Sequence, residues 1–404
     1  LIEIENNYNF TDLNEFSLNW VLTANGQEIK SGNLDQLAIK PGAHGVVQLG
    51  DFFPSMKPGV DYHLDLRLVG SSAHGLLPIN HVYAEEQFEL FNPYPRPPVE
   101  VRSAEALAVV ASESSIEIKS DNFTVVFDRE NGLLSEIEVD GRSVLLSPLQ
   151  PNLWRAPTDN DFGNYMHDWG KVWSDSIDNR VLDSLAVTNQ SKESVELLAK
   201  YQFKNLDNQT IARWQSTFEI FSGGDIRVQN HFTRMADQPE LPRVGMNMQF
   251  VKSFEQVEWL GRGPFENYRD RKSAARVGHF QNMVEDHYVP YIRPQENGYK
   301  TDTRWFSLRE ENGGRGLYVV ADDRIGFSVH HNIQEDFIPR AKIAITSEDG
   351  DGARDNPDRV NVHTNDIKPR DLVSVNVDYG QMGIGGDDSW GKKTLRKYSL
   401  SESE

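Results

Sequence analysis

Runs in which apolar and polar residues alternate recur along the whole chain, and they predict strands rather than helices. Phe16-Ser-Leu-Asn-Trp20 and Tyr62-His-Leu-Asp-Leu-Arg-Leu68 have the period of two that sets one side of a strand against a core. Asn25-Gly26 supplies the residues of a tight hairpin, and Pro41-Gly42 breaks the chain again. His81-Val-Tyr-Ala-Glu-Glu-Gln-Phe-Glu-Leu90 gives the last strand of this series. Short strands separated by turn residues predict an immunoglobulin-like β-sandwich over residues 1–92.

Phe91-Asn-Pro-Tyr-Pro-Arg-Pro-Pro98 then interrupts the pattern with four prolines, which cannot stay in a sheet, so residues 93–104 read as a stiff linker. From residue 105 to 404 strand signals dominate again and predict a second, large β-sandwich. Ser115-Ile-Glu-Ile-Lys119, Phe123-Thr-Val-Val-Phe127 and Leu134-Ser-Glu-Ile-Glu-Val139 form a meander. Gln215 to Phe221 and Ile226 to Phe232 flank Ser222-Gly-Gly-Asp225 as a hairpin. Helical periodicity is scarce: Tyr165, Trp169 and Trp173 recur every four residues and would share one face of a helix, or lie in an aromatic-rich loop. Asp349-Gly-Asp-Gly-Ala-Arg-Asp-Asn-Pro357 reads as a polar excursion. The expected class is all-β.

Composition narrows the function. There is no cysteine, which excludes disulfides, thiolate nucleophiles and cysteine metal sites. The 41 basic against 61 acidic residues leave a net charge of -20, which argues against nucleic-acid binding. No apolar run approaches the length of about 18 residues that crosses a bilayer. Leu1-Ile-Glu-Ile-Glu-Asn-Asn7 lacks a signal-type segment and an initiator Met, and starts directly as a strand. The expectation is therefore a soluble, cytoplasmic or periplasmic piece of a longer chain, cut or naturally separate.

Two loops hold the candidate chemistry. Pro151-Asn-Leu-Trp-Arg-Ala-Pro-Thr-Asp-Asn-Asp-Phe-Gly163 is too rich in Pro, Asn and Asp for one long element, yet carries Leu153, Trp154 and Phe162 as anchors. Gly383-Ile-Gly-Gly-Asp-Asp-Ser-Trp390 is glycine-rich, so its backbone can turn sharply and approach a ligand. At its end Trp390 offers a rigid plate for the apolar face of a pyranose, with Asp387, Asp388 and Ser389 as hydrogen-bonding neighbours. The same indole would serve equally as a plug anchoring the C-terminal strand. Glycoside hydrolysis uses two carboxyl groups, and Asp159 with Asp161, Glu266 with Asp270, and Asp387 with Asp388 are clustered. Neighbouring loop carboxylates more often close turns or pair with arginines, here Arg155, Arg262, Arg269 and Arg271.

Four motifs carry a resemblance: Trp154-Arg-Ala-Pro-Thr-Asp-Asn-Asp-Phe-Gly163, Trp259-Leu-Gly-Arg-Gly-Pro-Phe-Glu-Asn-Tyr-Arg-Asp270, Tyr288-Val-Pro-Tyr-Ile-Arg-Pro-Gln-Glu-Asn-Gly298 and Gly383 to Trp390. In that order they resemble the C-terminal third of the large β-galactosidases of glycoside hydrolase family 2. The resemblance implies an immunoglobulin-like domain followed by a terminal sandwich related in fold to galactose mutarotases. In that family a (β/α)8 barrel upstream carries the catalytic glutamates, magnesium and a monovalent cation, and it is missing here. What is implied is retaining hydrolysis of terminal β-D-galactosides such as lactose by the intact enzyme, with no catalytic, metal or cofactor residue in this chain. Trp390, Asp388, Asn164 and Gly163 would line the substrate mouth, while Arg262, Glu266, Arg269 and Asp270 would be scaffold tied in salt bridges. Expected partners are the barrel-containing remainder or large subunit, the β-galactoside, and further copies in a homo-oligomer. Two other readings stay open: a free-standing galactoside-binding module, and a mutarotase-like enzyme using a histidine (His279 or His287) with Glu296 or Asp388.

Overall fold

The computed structural model describes residues 1–35, 37–50, 55–92, 106–311, 314–341, 359–386 and 392–400. The proline-rich linker, the excursion at 349–357 and the Asp387–Trp390 segment with its four candidate residues lie outside the described residues. The chain divides into two compact units, Leu1–Val99 with Arg276–His279, and Glu100–Ala275 with Phe280–Glu404.

In the first unit, strands Gln27–Asp35, Phe16–Ala24, Tyr62–Gly70 and Val82–Leu90 pair in that order in an antiparallel sheet. Ile2–Glu5 pairs with His44–Val47 in a second, two-stranded sheet. Alternation decides what is inside: Phe16, Leu18, Trp20 and Leu22 are buried, and Leu64 and Leu66 of the neighbouring strand join them. Ile2, Ile4 and Val47 close the core from the small sheet. The hairpin turn has positive φ at both Asn25 and Gly26, which matches the right-handed twist of the strands it joins.

The second unit is a sandwich of a 12-stranded and a four-stranded sheet. The four-stranded sheet runs Val181–Gln190, Ser194–Lys204, Thr210–Phe221, Ile226–Arg234. Val195, Leu197, Ala199, Tyr201 and Phe203 alternate inward from it. They meet Met246, Met248, Phe250, Val373, Val375, Phe327 and Val329 of the large sheet in one core. The strand pairs at the centre of the large sheet are antiparallel, as hairpins and meanders require.

The opposite face of the large sheet is unusual. Its central strands are Gly316–His330, Leu372–Gln381, Arg243–Val251 and Leu145–Asn152, side by side. The residues that alternate with the apolar row are Ser328 and His330; Ser374, Asn376 and Asp378; and Arg243, and these too are buried. A sheet covered on both sides normally reads as a continuous apolar run. This one is apolar towards the small sheet and polar beneath its loops.

Among the described residues, α-helix is confined to the end of the first candidate loop and the segment after it, in Asp159–Gly163, Met166–Trp169 and Lys171–Asp178. Of the two readings open for Tyr165, Trp169 and Trp173, a helix or an aromatic-rich loop, the segment is helical in short pieces, but the three do not share one face. Tyr165 is left-handed (φ 64) and exposed, Gly170 separates the next two helices, Trp169 is half-buried and Trp173 fully buried. A side chain at Gly170 would run into the Met166 carbonyl and the Trp154 ring, so the chain turns there.

Candidate functional site

The two candidate loops leave the same end of the large sheet. Leu145–Asn152 and Leu372–Gln381 both pair antiparallel with Arg243–Val251, so they run parallel to each other. Asn152 and Asp378 are register partners of the same residue, Gly245. The first loop therefore leaves opposite Gly245 and the second two residues further on, opposite Arg243, from strands two spacings, or about 10 Å, apart. A side chain at position 245 would collide with the Asp378 carboxylate, which is why glycine stands between them.

Leu153 and Trp154 anchor the first loop in the core as expected, but Phe162 does not join that core: it is half-buried, with the Arg293 guanidinium 3.6 Å over its ring. Thr158 caps the short helix: its Oγ1 accepts from Asp161 N at 3.2 Å, and the Asp161 carboxylate accepts from Thr158 N at 3.0 Å. That carboxylate also takes a two-pronged bond from Arg155, at 3.1 and 3.0 Å. The remaining guanidinium hydrogens point across to the second loop. Arg155 Nη1 donates to Met382 O at 2.6 Å and Nη2 to Gly383 O at 3.1 Å. Asn160 Nδ2 adds a bond to Ile384 O at 3.1 Å. Arg155 and Asp161 are both fully buried, so this ion pair is shielded from solvent.

Gly163 and Asn164 end the short helix. The Asn164 side chain and carbonyl both accept from Trp169 Nε1, at 3.1 and 3.0 Å, so the amide is oriented by an indole. Gly163 lies against the aliphatic part of Lys392, and the Lys393 ammonium sits 5.6 Å from the centre of the Trp169 ring. Trp169, Lys393, Arg234, Gln238, Pro239 and Glu240 line an open cleft of about 400 Å³. Thus Gly163 and Asn164 stand beside the described ends of the second loop. The other two site residues, Asp388 and Trp390, are among the undescribed ones.

The other carboxylates have structural work. Glu266 accepts from Tyr291 Oη and, at 2.8 Å, from Gly298 N. Asp270 accepts from Ile384 N at 3.0 Å and Gly385 N at 2.8 Å. Arg262 pairs with Asp302 at 2.5 Å, and Arg269 donates to Ser399 O at 2.8 Å. Arg262 thus holds an ion pair as expected, while Glu266 and Asp270 accept from backbone amides and hydroxyls.

Beneath the first loop lies a polar layer that sequence reasoning missed. Arg243, wholly buried, approaches Asp378 at 3.1 Å, and donates to Glu296 at 3.1 Å, Gln334 at 2.9 Å and the Trp154 carbonyl at 3.3 Å. Gln381 Nε2 donates to the same Glu296 oxygen at 3.0 Å. Burial, reinforced by the Glu296 charge, outweighs Arg243 and lifts the Asp378 carboxyl to about 7. Burial also lowers His330 to about 4 and Lys300 to about 8, and holds His287 well below its usual range. Glu296 and His330 line a cavity with Asn297, Ser328, Asn332 and Gln334, but its volume is about 10 Å³. That is room for one water, not for a sugar. The strand alternation of Ser374, Asn376 and Asp378 was the available signal, and it reads as an exposed face until the loops above are known.

Among the described residues, no three His, Asp or Glu side chains are grouped to hold a metal. No helix of the described residues is long and apolar enough to cross a membrane.

Comparison with known proteins decides the family. Residues 119–404 match the family described as beta galactosidase small chain. The chain belongs to that family. Residues 2–91 match a second family, beta-galactosidase domain 4. A β-galactosidase of Priestia megaterium is 28% identical over 401 residues, covering 98% of this chain and 36% of the relative. One of Vibrio cholerae is 30% identical over 394 residues, covering 93% and 34%. The chain therefore spans about a third of the length of the relatives it matches. A galactose 1-epimerase from Lactobacillus acidophilus superimposes with a TM-score of 0.30 and 8% identity, covering 68% of this chain and 98% of that one. A score that low carries no weight for function. The matched regions are β-galactosidase modules made here of antiparallel sheets, and the described residues form no (β/α)8 barrel.

Proposed function

We propose that this chain is a non-catalytic wall of a β-galactosidase, completing the mouth of a site whose catalytic residues lie on a separate barrel. The intact enzyme hydrolyses terminal β-D-galactosides such as lactose with retention, through a covalent galactosyl intermediate. Gly163, Asn164, Asp388 and Trp390 line the wall, and the Trp390 indole stacks on the sugar or its aglycone. The barrel-bearing remainder is its partner, within a homo-oligomer of the whole enzyme. The observation that carries the reading is the tie between the two loops. Arg155 and Asn160 together bind the carbonyls of Met382, Gly383 and Ile384, which makes one surface of two distant sequence segments.

The test is hydrolysis of a chromogenic β-galactoside by the chain alone and after mixing with the barrel-bearing part. Activity only in the mixture, weakened by Trp390→Ala without loss of assembly, is expected. Robust hydrolysis by the chain alone refutes the proposal, and galactoside binding without any effect on the mixture turns it into a free-standing binding module.

A further inference from the structure

The Asp270 carboxylate occupies a place that neither the ion-pair expectation nor any family match assigns. It lies in a tight turn in which Tyr268 N and Arg271 N donate to each other's carbonyls, at 3.2 and 2.8 Å. Tyr268 fixes that turn by stacking on Tyr299 at 5.7 Å, and both rings share a small core with Ile384. The carboxylate is thereby pushed onto the second loop. One oxygen accepts from Ile384 N at 3.0 Å, and the other accepts from Gly385 N at 2.8 Å and from Thr394 Oγ1 at 3.3 Å.

Those three donors lie on both sides of the loop's neck. Gly385 and Gly386 are left-handed (φ 71 and 76), and successive amides in such a turn make a concavity that favours an anion. Here the protein's own carboxylate fills it. The glycines are required by space as well. A side chain at Gly385 would strike the Lys392 carbonyl, one at Gly386 the Asn160 amide, and one at Gly383 Asp270 itself and Thr394. The outgoing strand at Gly385 and the returning strand at Lys392–Thr394 are therefore in contact. On the far side, Gly383 N donates to Tyr398 O at 2.9 Å and Arg269 grips Ser399 O.

We infer that Asp270 is the positioning residue of this neck, setting the angle at which the glycine loop is presented to a saccharide. The inference rests on the wall-forming function proposed above. Asp270 touches no substrate, and its action passes through the backbone of Ile384 and Gly385. Asn is the informative replacement, because it keeps the size and one acceptor. Its amide nitrogen then faces an N–H donor where an oxygen stood, and the oxygen that remains is uncharged, so one bond is lost and the other loses its charge assistance.

The experiment has two arms. In the 404-residue chain alone, amide hydrogen exchange is followed at Ile384 and Gly385 in wild type and Asp270→Asn. Exchange at both amides at least tenfold faster in the variant, with the Leu372–Gln381 strand unchanged, is expected; equal exchange overturns the inference. In the chain assembled with the barrel-bearing part, Asp270→Asn is measured in the wild-type and Trp390→Ala backgrounds on a chromogenic galactoside. KM should rise several-fold in the first with little change in kcat, and not rise further in the second. A general loss of folding would instead lower the active fraction equally in both, and additive KM effects overturn the inference. If Trp390→Ala leaves the kinetics unchanged while exchange accelerates, the wall-forming reading fails and the Asp270 clamp stands as a structural device only.

Discussion

Replacing Arg155 by Met tests the tie between the loops most directly. The wild-type guanidinium is fully buried and makes four hydrogen bonds, two to Asp161 and two to the carbonyls of Met382 and Gly383. Methionine fills the space of the arginine stem but donates nothing. The Asp161 carboxylate would be left buried and held by the amide of Thr158, and two loop carbonyls would lose a charged donor. Removing one member of a buried ion pair costs about 3–5 kcal/mol, most of it the desolvated charge left behind. The double change Arg155→Met with Asp161→Leu removes that stranded charge and sacrifices only the helix cap, worth about 1 kcal/mol. The double variant should therefore be more stable than the single one. Urea unfolding followed by tryptophan emission is the assay. Of the eight tryptophans only Trp20 lies in the first unit, so the signal reports the second. A single variant within about 1 kcal/mol of wild type, or a double variant less stable than the single, would show that the pair is not the strut described.

Three further outcomes follow from the core. His330 has a folded pKa of about 4 against 6.5 unfolded, so the unfolded chain takes up a proton first as pH falls; the burial that causes this should cost about 3 kcal/mol of stability between pH 6.5 and 4. His330→Gln should lose less stability than wild type between pH 7 and pH 5 in urea melts, with Asp378 working in the opposite sense over the same range in both proteins. Trp173→Ala should cost about 3–5 kcal/mol, because the ring is fully buried and its Nε1 donates to Glu240 O at 2.9 Å; a loss under 1 kcal/mol would contradict that packing. Gly245→Ala should destabilise the second unit while Gly42→Ala, whose added carbon meets nothing within 4 Å, should cost only the strain of its positive φ; thermal unfolding separates the two.

How much of this was legible depends on which interaction decides each element. Strands whose alternation faces one core, such as Phe16–Ala24 and Tyr62–Gly70, were visible because the hydrophobic effect alone selects their inward side. The anchoring of Leu153 and Trp154 was visible for the same reason. Aromatic spacing left a helix and a loop open at Tyr165, Trp169 and Trp173, and short helices form without a shared face, because a glycine and a left-handed residue cut the period. The polar face of Arg243, Asn376 and Asp378 was invisible, since an alternating polar position looks the same whether water or a loop covers it. Asp270 was seen as a carboxylate but given a charged partner; only the folded backbone reveals that amides 114 and 115 residues away claim it.

That polar face explains why the loops can be held so firmly above a sheet. The row Val373 and Val375 packs in the apolar core, while Ser374, Asn376 and Asp378 lie under the loops. A slip of one residue in the strand Leu372–Gln381 would exchange the rows, driving a carboxylate into hydrocarbon and stranding the Arg243 charge. Across the neighbouring strands the pairing is equally particular. Asn376 accepts from Asn152 and from Asn247, each at 3.0 Å, and donates to Ser328 at 3.1 Å. One amide thus reads the register of three other strands. The level of Asn152 against Asp378 is set by this network as much as by backbone pairing, and Arg155 then spans from the first chain exit to the Met382 and Gly383 carbonyls of the second.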